Sequence, residues 1–425
     1  MSHRAAQDRP ATYRSVFAVA EFRPLFGSYV LATVGDFLAR LALTVLVYER
    51  TGSPLLGALT FAISYLPWVV GGPLLAALAD RLPRKRVMVV SDLARAALVA
   101  LMAVPGTPLP ALLLLLLLVS LGSPPYEAAR SALTADVLTD DRYAVATSLT
   151  GVVQQLAQVI GFLLGGVLVT AVSPSLGLLV TAATFAAAGL WLGVGLQHRP
   201  APDRDGEDAA TLWADVLTGL RLVLTTPRLL AIVGLLWVGV LVTNAHEGIG
   251  PALSDQLVGG QALVGVLLAA HPAGAVVGGV LVGRFCPPSL RERLVTPLVL
   301  VSVGALAVAG LAPRVLDGDT AAVAVVALLA VAGFGNAWTI PLNVAFVQAV
   351  PAAVRGRAFG VAIAGMSAVQ GLGALIAGAA ASGTAPTDVV LLVGLVGLPL
   401  VAVPLVGLLR TRPPAVGVVA GPSGA

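Results

Sequence analysis

One lysine, Lys85, and one cysteine, Cys286, stand among 425 residues, of which only 11% are charged. A water-exposed domain carries about a quarter charged residues, so this chain could not cover a soluble surface. A single lysine, far from any glycine-rich loop, leaves no G-x-x-x-x-G-K-[ST] phosphate loop, which excludes ATP hydrolysis by this chain. A single cysteine excludes an intramolecular disulfide. The four histidines, His3, His198, His246 and His271, lie in different regions and form no cluster with metal-ligand spacing. No catalytic constellation of a soluble enzyme is legible, so neither an enzyme, a metal nor a cofactor is expected.

What the chain has instead is hydrocarbon: 58% of it is hydrophobic and its mean hydropathy is +0.95. Runs such as Leu55 to Ala79 reach the roughly 20 residues needed to cross a bilayer as a helix. They do not alternate apolar with polar residues, as the strands of a membrane barrel must. The fold class expected is therefore all-α and integral to the membrane, with the bilayer as its main partner. Residues 1–24 carry Arg4, Arg9, Arg14 and Arg23; lacking a compact apolar core and a cleavage site, they read as a retained tail. The formal charge of +4 and pI near 9.6 do not point to nucleic acid, because the basic residues are dispersed among short loops.

Apolar runs begin near Leu25, Leu55, Val87, Pro110, Ala144, Leu176, Leu229, Gln261, Val295, Ala321, Ala358 and Val389, which predicts twelve spans. With both termini inside, the inner loops hold Arg81 to Arg86, Arg142, Arg199, Arg204, Arg221, Arg228, Arg284, Arg291, Arg293, Arg355 and Arg357, whereas the outer loops hold Arg50 and Arg314. That asymmetry follows the positive-inside rule and supports an even number of spans. The longest interruption, 197–228, is polar and proline-rich and then amphipathic around Leu212, Trp213, Val216, Leu217, Leu220 and Val223, as expected of a linker entering an interfacial helix. It separates a bundle at 25–196 from a second at 229–409, with a tail at 410–425. The two halves echo each other: Gln158, Gly161 and Gly166 are matched at constant spacing by Gln370, Gly373 and Gly378. Two homologous halves in one orientation are an architecture of secondary transporters.

The stretch ALADRLPRKR contains Asp80, Arg81, Arg84, Lys85 and Arg86 between the second and third runs. It resembles the loop signature of the major facilitator superfamily, G-x-L-A-D-R-x-G-R-[RK], with Ala76 and Pro83 where glycine is usual. Three further segments, FRPLFGSYVLATVGDFLARLAL, SPPYEAARSALTADVL and VRGRAFG, resemble drug:proton antiporters of the macrolide-efflux type and related siderophore exporters. The antiporter glycine motif G-P-x-x-G-G is met by Gly161 to Gly166 without its proline. The resemblance implies two six-helix bundles rocking about a central cavity. It also implies a cytoplasmic gate at Asp80, Arg81, Arg84 and Lys85, continued by Asp92 and Arg95 on the third span and echoed by Arg284 after the eighth. The plainer alternative is that the cations only set topology.

Ionisable groups inside hydrocarbon are functional candidates. Asp36 falls near the middle of the first span with Arg40 at i+4, where the two can meet; the pair reads either as a proton-coupling site or as a permanent ion pair. His271, near the centre of the eighth span, is either a proton relay or a neutral interhelical contact. Glu247, beside His246, is placed toward the outer end of the seventh span as a second coupling carboxylate. Gln154, Gln158, Asn336, Trp338, Asn343 and Gln370 are candidates to line a substrate cavity, the alternative being hydrogen bonds between helices.

Taken together, these features predict a proton-coupled exporter of small lipophilic molecules in the plasma membrane, a monomer with both termini cytoplasmic and protons and substrate as its partners. Facilitated uptake of a nutrient by the same fold is the second expectation. A transport-inactive sensor or assembly partner is the third.

Overall fold

The computed structural model describes residues 12–70, 82–200, 209–351 and 354–411. Every regular element among them is a helix, because a backbone in lipid must satisfy its own hydrogen bonds. In chain order the membrane helices are α1 (Phe22–Thr51), α2 (Pro54–Val70), α3 (Arg84–Met102), α4 (Leu109–Val137), α5 (Asp140–Ala171) and α6 (Pro174–Gly195). The second set is α7 (Pro227–Val258), α8 (Val264–Phe285), α9 (Pro288–Leu311), α10 (Gly318–Ala349), α11 (Arg355–Ala381) and α12 (Pro386–Arg410). Ten of these are long and apolar enough to span a bilayer. The other two are α2, which is short, and α3, whose Arg84, Lys85, Arg86, Asp92 and Arg95 lower its hydropathy. The set is consistent with twelve spans. Large apolar side chains face outward, with Val194 90% and Val403 75% exposed; such a surface suits hydrocarbon and not water.

Local sequence decides where rods bend. In α4, Gly122 is followed by Pro124 and Pro125, which withhold two backbone donors and kink the rod. In α7, the 3₁₀ segment Ala245–Ile249 interrupts the helix ahead of Gly250 and Pro251. A similar break at Asn336–Trp338 divides α10. The predicted linker helix forms at Ala209–Thr225 and is pinned to the start of α11, where a Cβ on Gly219 would lie 2.7 Å from the Arg357 carbonyl oxygen.

The repeat-related glycines make equivalent contacts in the two halves. A Cβ on Gly161 of α5 would lie 2.8 Å from the Val34 carbonyl oxygen of α1, and one on Gly373 of α11 would lie 2.7 Å from the Leu241 carbonyl oxygen of α7. The next pair crosses between halves. A Cβ on Gly265 of α8 would lie 2.7 Å from the Gly166 Cα of α5, and one on Gly378 of α11 would lie 3.1 Å from the Leu55 Cα of α2. Absence of side chains at these points lets backbones touch. The amino-terminal core accordingly continues across the seam into Val264, Leu268 and Ala374.

The two ends of the bundle differ. At one end Arg84 pairs with Asp136, the Lys85 ammonium donates to the Leu196 carbonyl at 2.6 Å, and Arg228 donates to the Thr411 carbonyl at 2.8 Å. This is the basic end. At the opposite end Tyr48 donates to Asp255 across the halves at 3.2 Å, beneath a recess of about 490 Å³ lined by Ser53, Gln256 and Ser382. Gly166, Gly265 and Gly378 also lie toward that end. Open glycines occur at both ends: a Cβ on Gly151, Gly283, Gly356 or Gly360 toward the basic end, or on Gly260 or Gly383 toward the other, would meet no neighbouring atom within 4 Å.

Candidate functional site

Of the ten apolar spans among the described residues, α1 is the most enclosed, with 67% of its apolar window buried. A polar group exposed on that helix therefore faces the middle of the bundle and not lipid. Asp36 is such a group, its side chain 40% exposed, and it accepts a hydrogen bond from Arg95 of α3, which is 3% exposed. The expected Asp36–Arg40 pairing does not form. At i+4 the two could meet, but Arg95 reaches Asp36 from the next helix, and Arg40 turns to α2 instead. Its guanidinium donates to the Tyr65 hydroxyl at 2.7 Å and lies 5.4, 5.6 and 4.8 Å from the ring centres of Phe37, Phe61 and Tyr65.

Arg95 is held from behind by the Phe185 ring of α6, 4.1 Å from the guanidinium carbon. The bare face of Gly122 in α4 makes room for its stem, since a Cβ there would lie 3.3 Å from the Arg95 Cδ. Its other amino group lies 3.7 Å from Asp92, a carboxylate with no exposed surface and no hydrogen-bond partner for either oxygen. Asp92 and Arg95, expected at a cytoplasmic gate, are thus inside the bundle. Eight and eleven residues past Arg84, they stand about 12 and 16 Å along the helix axis.

A second ion pair adjoins the first. Arg130 of α4 pairs with Glu127 one turn away and stacks over the Tyr29 ring of α1 at 4.3 Å, while the Tyr29 hydroxyl donates to Gln154 of α5 at 2.7 Å. Sequence reasoning missed Glu127, Arg130, Tyr29, Tyr65 and Phe185. The i,i+3 spacing of Glu127 and Arg130 in an apolar run was a readable signal; the aromatic partners come from other helices and left none.

Glu247 is only 3% exposed and lies in the 3₁₀ break of α7, which runs on to Val258. The expected hydration is therefore corrected: Glu247 stands in the outer part of α7 but is buried there, because the rod continues past the break to Val258. Gln158 of α5 donates to Glu247 across the seam at 3.4 Å. Gly248 seats this break, since its Cβ would lie 2.9 Å from Ala374 and 3.1 Å from Ala58. Behind it, the rings of His246 and His271 stand 5.6 Å apart. His246 Nδ1 bonds the Thr243 carbonyl at 2.9 Å, and neither Nε2 has a protein partner.

The amides divide. Gln154 and Asn343 are exposed and Gln158 and Asn336 half-buried, whereas Gln370 accepts from Asn244 at 3.3 Å and so joins α11 to α7. Trp338 is fully buried and packs on Gly239, whose Cβ would lie 2.6 Å from its ring; it belongs to the core of the second half. Among the gate candidates, Asp80 and Arg81 lie outside the described residues. Arg84 and Lys85 tie α3 to α4 and to the end of α6, helices of the same half. Arg284 is exposed at the end of α8. The basic end carries a further clamp that motif reasoning did not single out: Glu21 accepts from Arg199 at 2.6 and 3.0 Å. Hydrogen bonding to Arg199 holds the Glu21 carboxyl below its ordinary value.

Two helical halves with crossed glycine seams and a charged centre narrow the fold, and comparison with known proteins decides it. The Major Facilitator Superfamily profile matches residues 25–361. The chain belongs to this superfamily. It is accordingly a multi-pass membrane transporter. Across 365 residues, 82% of this chain and 86% of the relative, it is 27% identical to the multidrug efflux pump Tap of Mycolicibacterium fortuitum. It is 29% identical over 150 residues, 35% of this chain and 36% of the other, to the uncharacterized MFS-type transporter YfiS of Bacillus subtilis (strain 168). Among solved structures, the nucleoside transporter NupG superposes with a TM-score of 0.69 at 15% identity, covering 91% of this chain and 98% of that one. A POT family transporter in complex with 5-aminolevulinic acid gives 0.69 at 14% identity, covering 92% and 96%. At such identities these structures show the superfamily fold and nothing of the cargo.

Proposed function

We propose that this chain is a proton-coupled exporter of small lipophilic molecules, working by alternating access between the halves 25–196 and 229–409. The observation that carries the coupling is the Asp36–Arg95–Asp92 group: two carboxylates share one guanidinium at the centre of a membrane bundle, and charges so placed are retained where they do work. Similarity along most of both chains to a protein named as a multidrug efflux pump supports the outward direction. The basic end is the cytoplasmic one, both termini lie there, and the protein acts as a monomer in the cell membrane. With the seams at Gly166, Gly265 and Gly378 closed toward the far end, the two halves meet on that side in the conformation described.

Asp36 is the accessible carboxylate of this group, and Glu247 and Gln158 bridge the seam that must part. Each proton entering along the membrane potential supplies about 2.3 kcal/mol per 100 mV. Inverted vesicles exposed to a panel of antibiotics and dyes test the reading: uptake into the vesicles that rises with an imposed proton gradient supports it. Substrate movement indifferent to the gradient points instead to facilitated uptake.

A further inference from the structure

We infer that Asp92, and not the more accessible Asp36, holds the exchangeable proton, and that Arg95 moves between the two carboxylates as that proton comes and goes. The inference rests on the proton-coupled reading above and names the residue that would perform it.

Both carboxylates cannot be charged and satisfied at once. Arg95 gives its hydrogen bond to Asp36, whose side chain is also 40% exposed, so Asp36 has two sources of compensation for a negative charge. Asp92 has neither: it is fully buried, its nearest cation is 3.7 Å away and already engaged, and neither oxygen accepts a hydrogen bond. An uncompensated buried carboxylate takes up a proton.

The groups facing Asp92 are few. From α1 comes Asp36, from its own helix Arg95, and from α4 Tyr126, whose buried hydroxyl also lacks a partner; Glu127 and Arg130 on α4 are engaged with each other. Helix α6, which packs along α3, contains no ionisable residue and presents Gly189, whose Cβ would lie 3.2 Å from that of Asp92. Glu247 differs in that an amide, Gln158, donates to it, whereas neither oxygen of Asp92 has a partner.

The cycle then balances in atoms and charge. A substrate group that donates hydrogen bonds or carries positive charge approaches the exposed face of Asp36. Arg95, released, closes its 3.7 Å gap to Asp92; the Asp92 O–H bond breaks, the proton leaves to water at the basic end, and an Arg95 N–H to Asp92 hydrogen bond takes its place. In the opposite conformation a proton from the other side returns to Asp92, Arg95 swings back to Asp36, and the substrate is displaced.

Infrared difference spectroscopy on the purified protein reads the charge state without a substrate. A protonated-carboxyl stretch at neutral pH that is missing from Asp92→Asn, with that variant folded and at least as thermally stable as wild type, is the expected result, because an amide replaces a neutral acid of the same shape. The same band in wild type and Asp92→Asn overturns the proposal. So does a variant that loses stability or fails to fold, which would mean that the bundle needs a charged Asp92. In the vesicle assay Asp92→Asn is expected to remove the response to a proton gradient while keeping downhill exchange; a variant with wild-type gradient response also overturns it. A wild type that ignores the gradient sinks the transport reading instead, and the infrared result still decides the charge of Asp92.

Discussion

Arg95 is a cation with two possible partners, and that makes its neighbours non-additive. Asp36→Asn alone leaves Arg95 able to turn to Asp92, and Asp92→Asn alone leaves it on Asp36. Removing both strands a guanidinium that is 3% exposed, which costs about 3 kcal/mol or more. Thermal unfolding of the two single variants and the double variant is expected to show a loss below about 1.5 kcal/mol for Asp36→Asn, none for Asp92→Asn, and a double loss well above their sum. Additive losses would mean that Arg95 is not shared. Asp36→Asn is further expected to abolish gradient-driven export while leaving downhill exchange measurable in the same vesicles. Arg40 calls for a different variant, because its hydrogen bond goes to Tyr65: Tyr65→Phe is expected to lower stability by about 1.5 to 3 kcal/mol, as loss of a hydrogen bond to a charged group does.

At the scale of elements, contacts are decided by what is missing from glycines. On α8, Gly265→Ala would set a methyl group 2.7 Å from Gly166 and from the Phe162 carbonyl oxygen. Overpacking there is expected to lower thermal stability by about 1 to 3 kcal/mol, as α5 and α8 are pushed apart. Gly151→Ala on the same α5 meets open space, so the helix gains propensity, about 1 kcal/mol, with nothing in the way. Opposite signs in a thermal-shift measurement are the expected outcome; equal effects would mean that the seam is not closed at Gly265. The clamp from the amino-terminal segment to the end of α6 adds a pH-dependent element. Glu21 has its carboxyl value lowered by Arg199, so its stabilisation is complete above the unfolded value near 4.5 and is lost as the pH falls through the lower folded value. With Arg199 about a third exposed, the pair contributes on the order of 1 kcal/mol. Glu21→Gln should therefore unfold earlier than wild type at pH 7, and the gap should close on strong acidification.

For the whole molecule, the lone cysteine is a built-in probe of orientation. Cys286 sits just past the end of α8, at the basic end, and is partly exposed. If that end is cytoplasmic, a membrane-impermeant maleimide should label Cys286 in inverted vesicles and spare it in intact cells. Labelling of intact cells would reverse the orientation and, with it, the outward direction of transport.

The sequence by itself determined that this is a helical membrane protein built of two related halves with its positive charge at one end. Those properties depend on composition and on periodic local pattern, and lipid leaves a backbone few alternatives to helix. The charged residues of the candidate site were legible in the same way, since Asp36, Arg40, Asp92, Arg95 and Glu247 are conspicuous in apolar runs. Their partnerships were not. Whether Asp36 meets Arg40 on its own helix or Arg95 on another depends on the angle at which α1 and α3 cross. Whether Glu247 hydrates or is buried depends on α7 continuing past a 3₁₀ break. Trp338, polar enough in one atom to suggest a cavity, was claimed by the bare face of Gly239. A linear pattern specifies which face of a helix is unusual, but only the packing of one helix against another decides what that face meets, and in this protein those meetings place the charges.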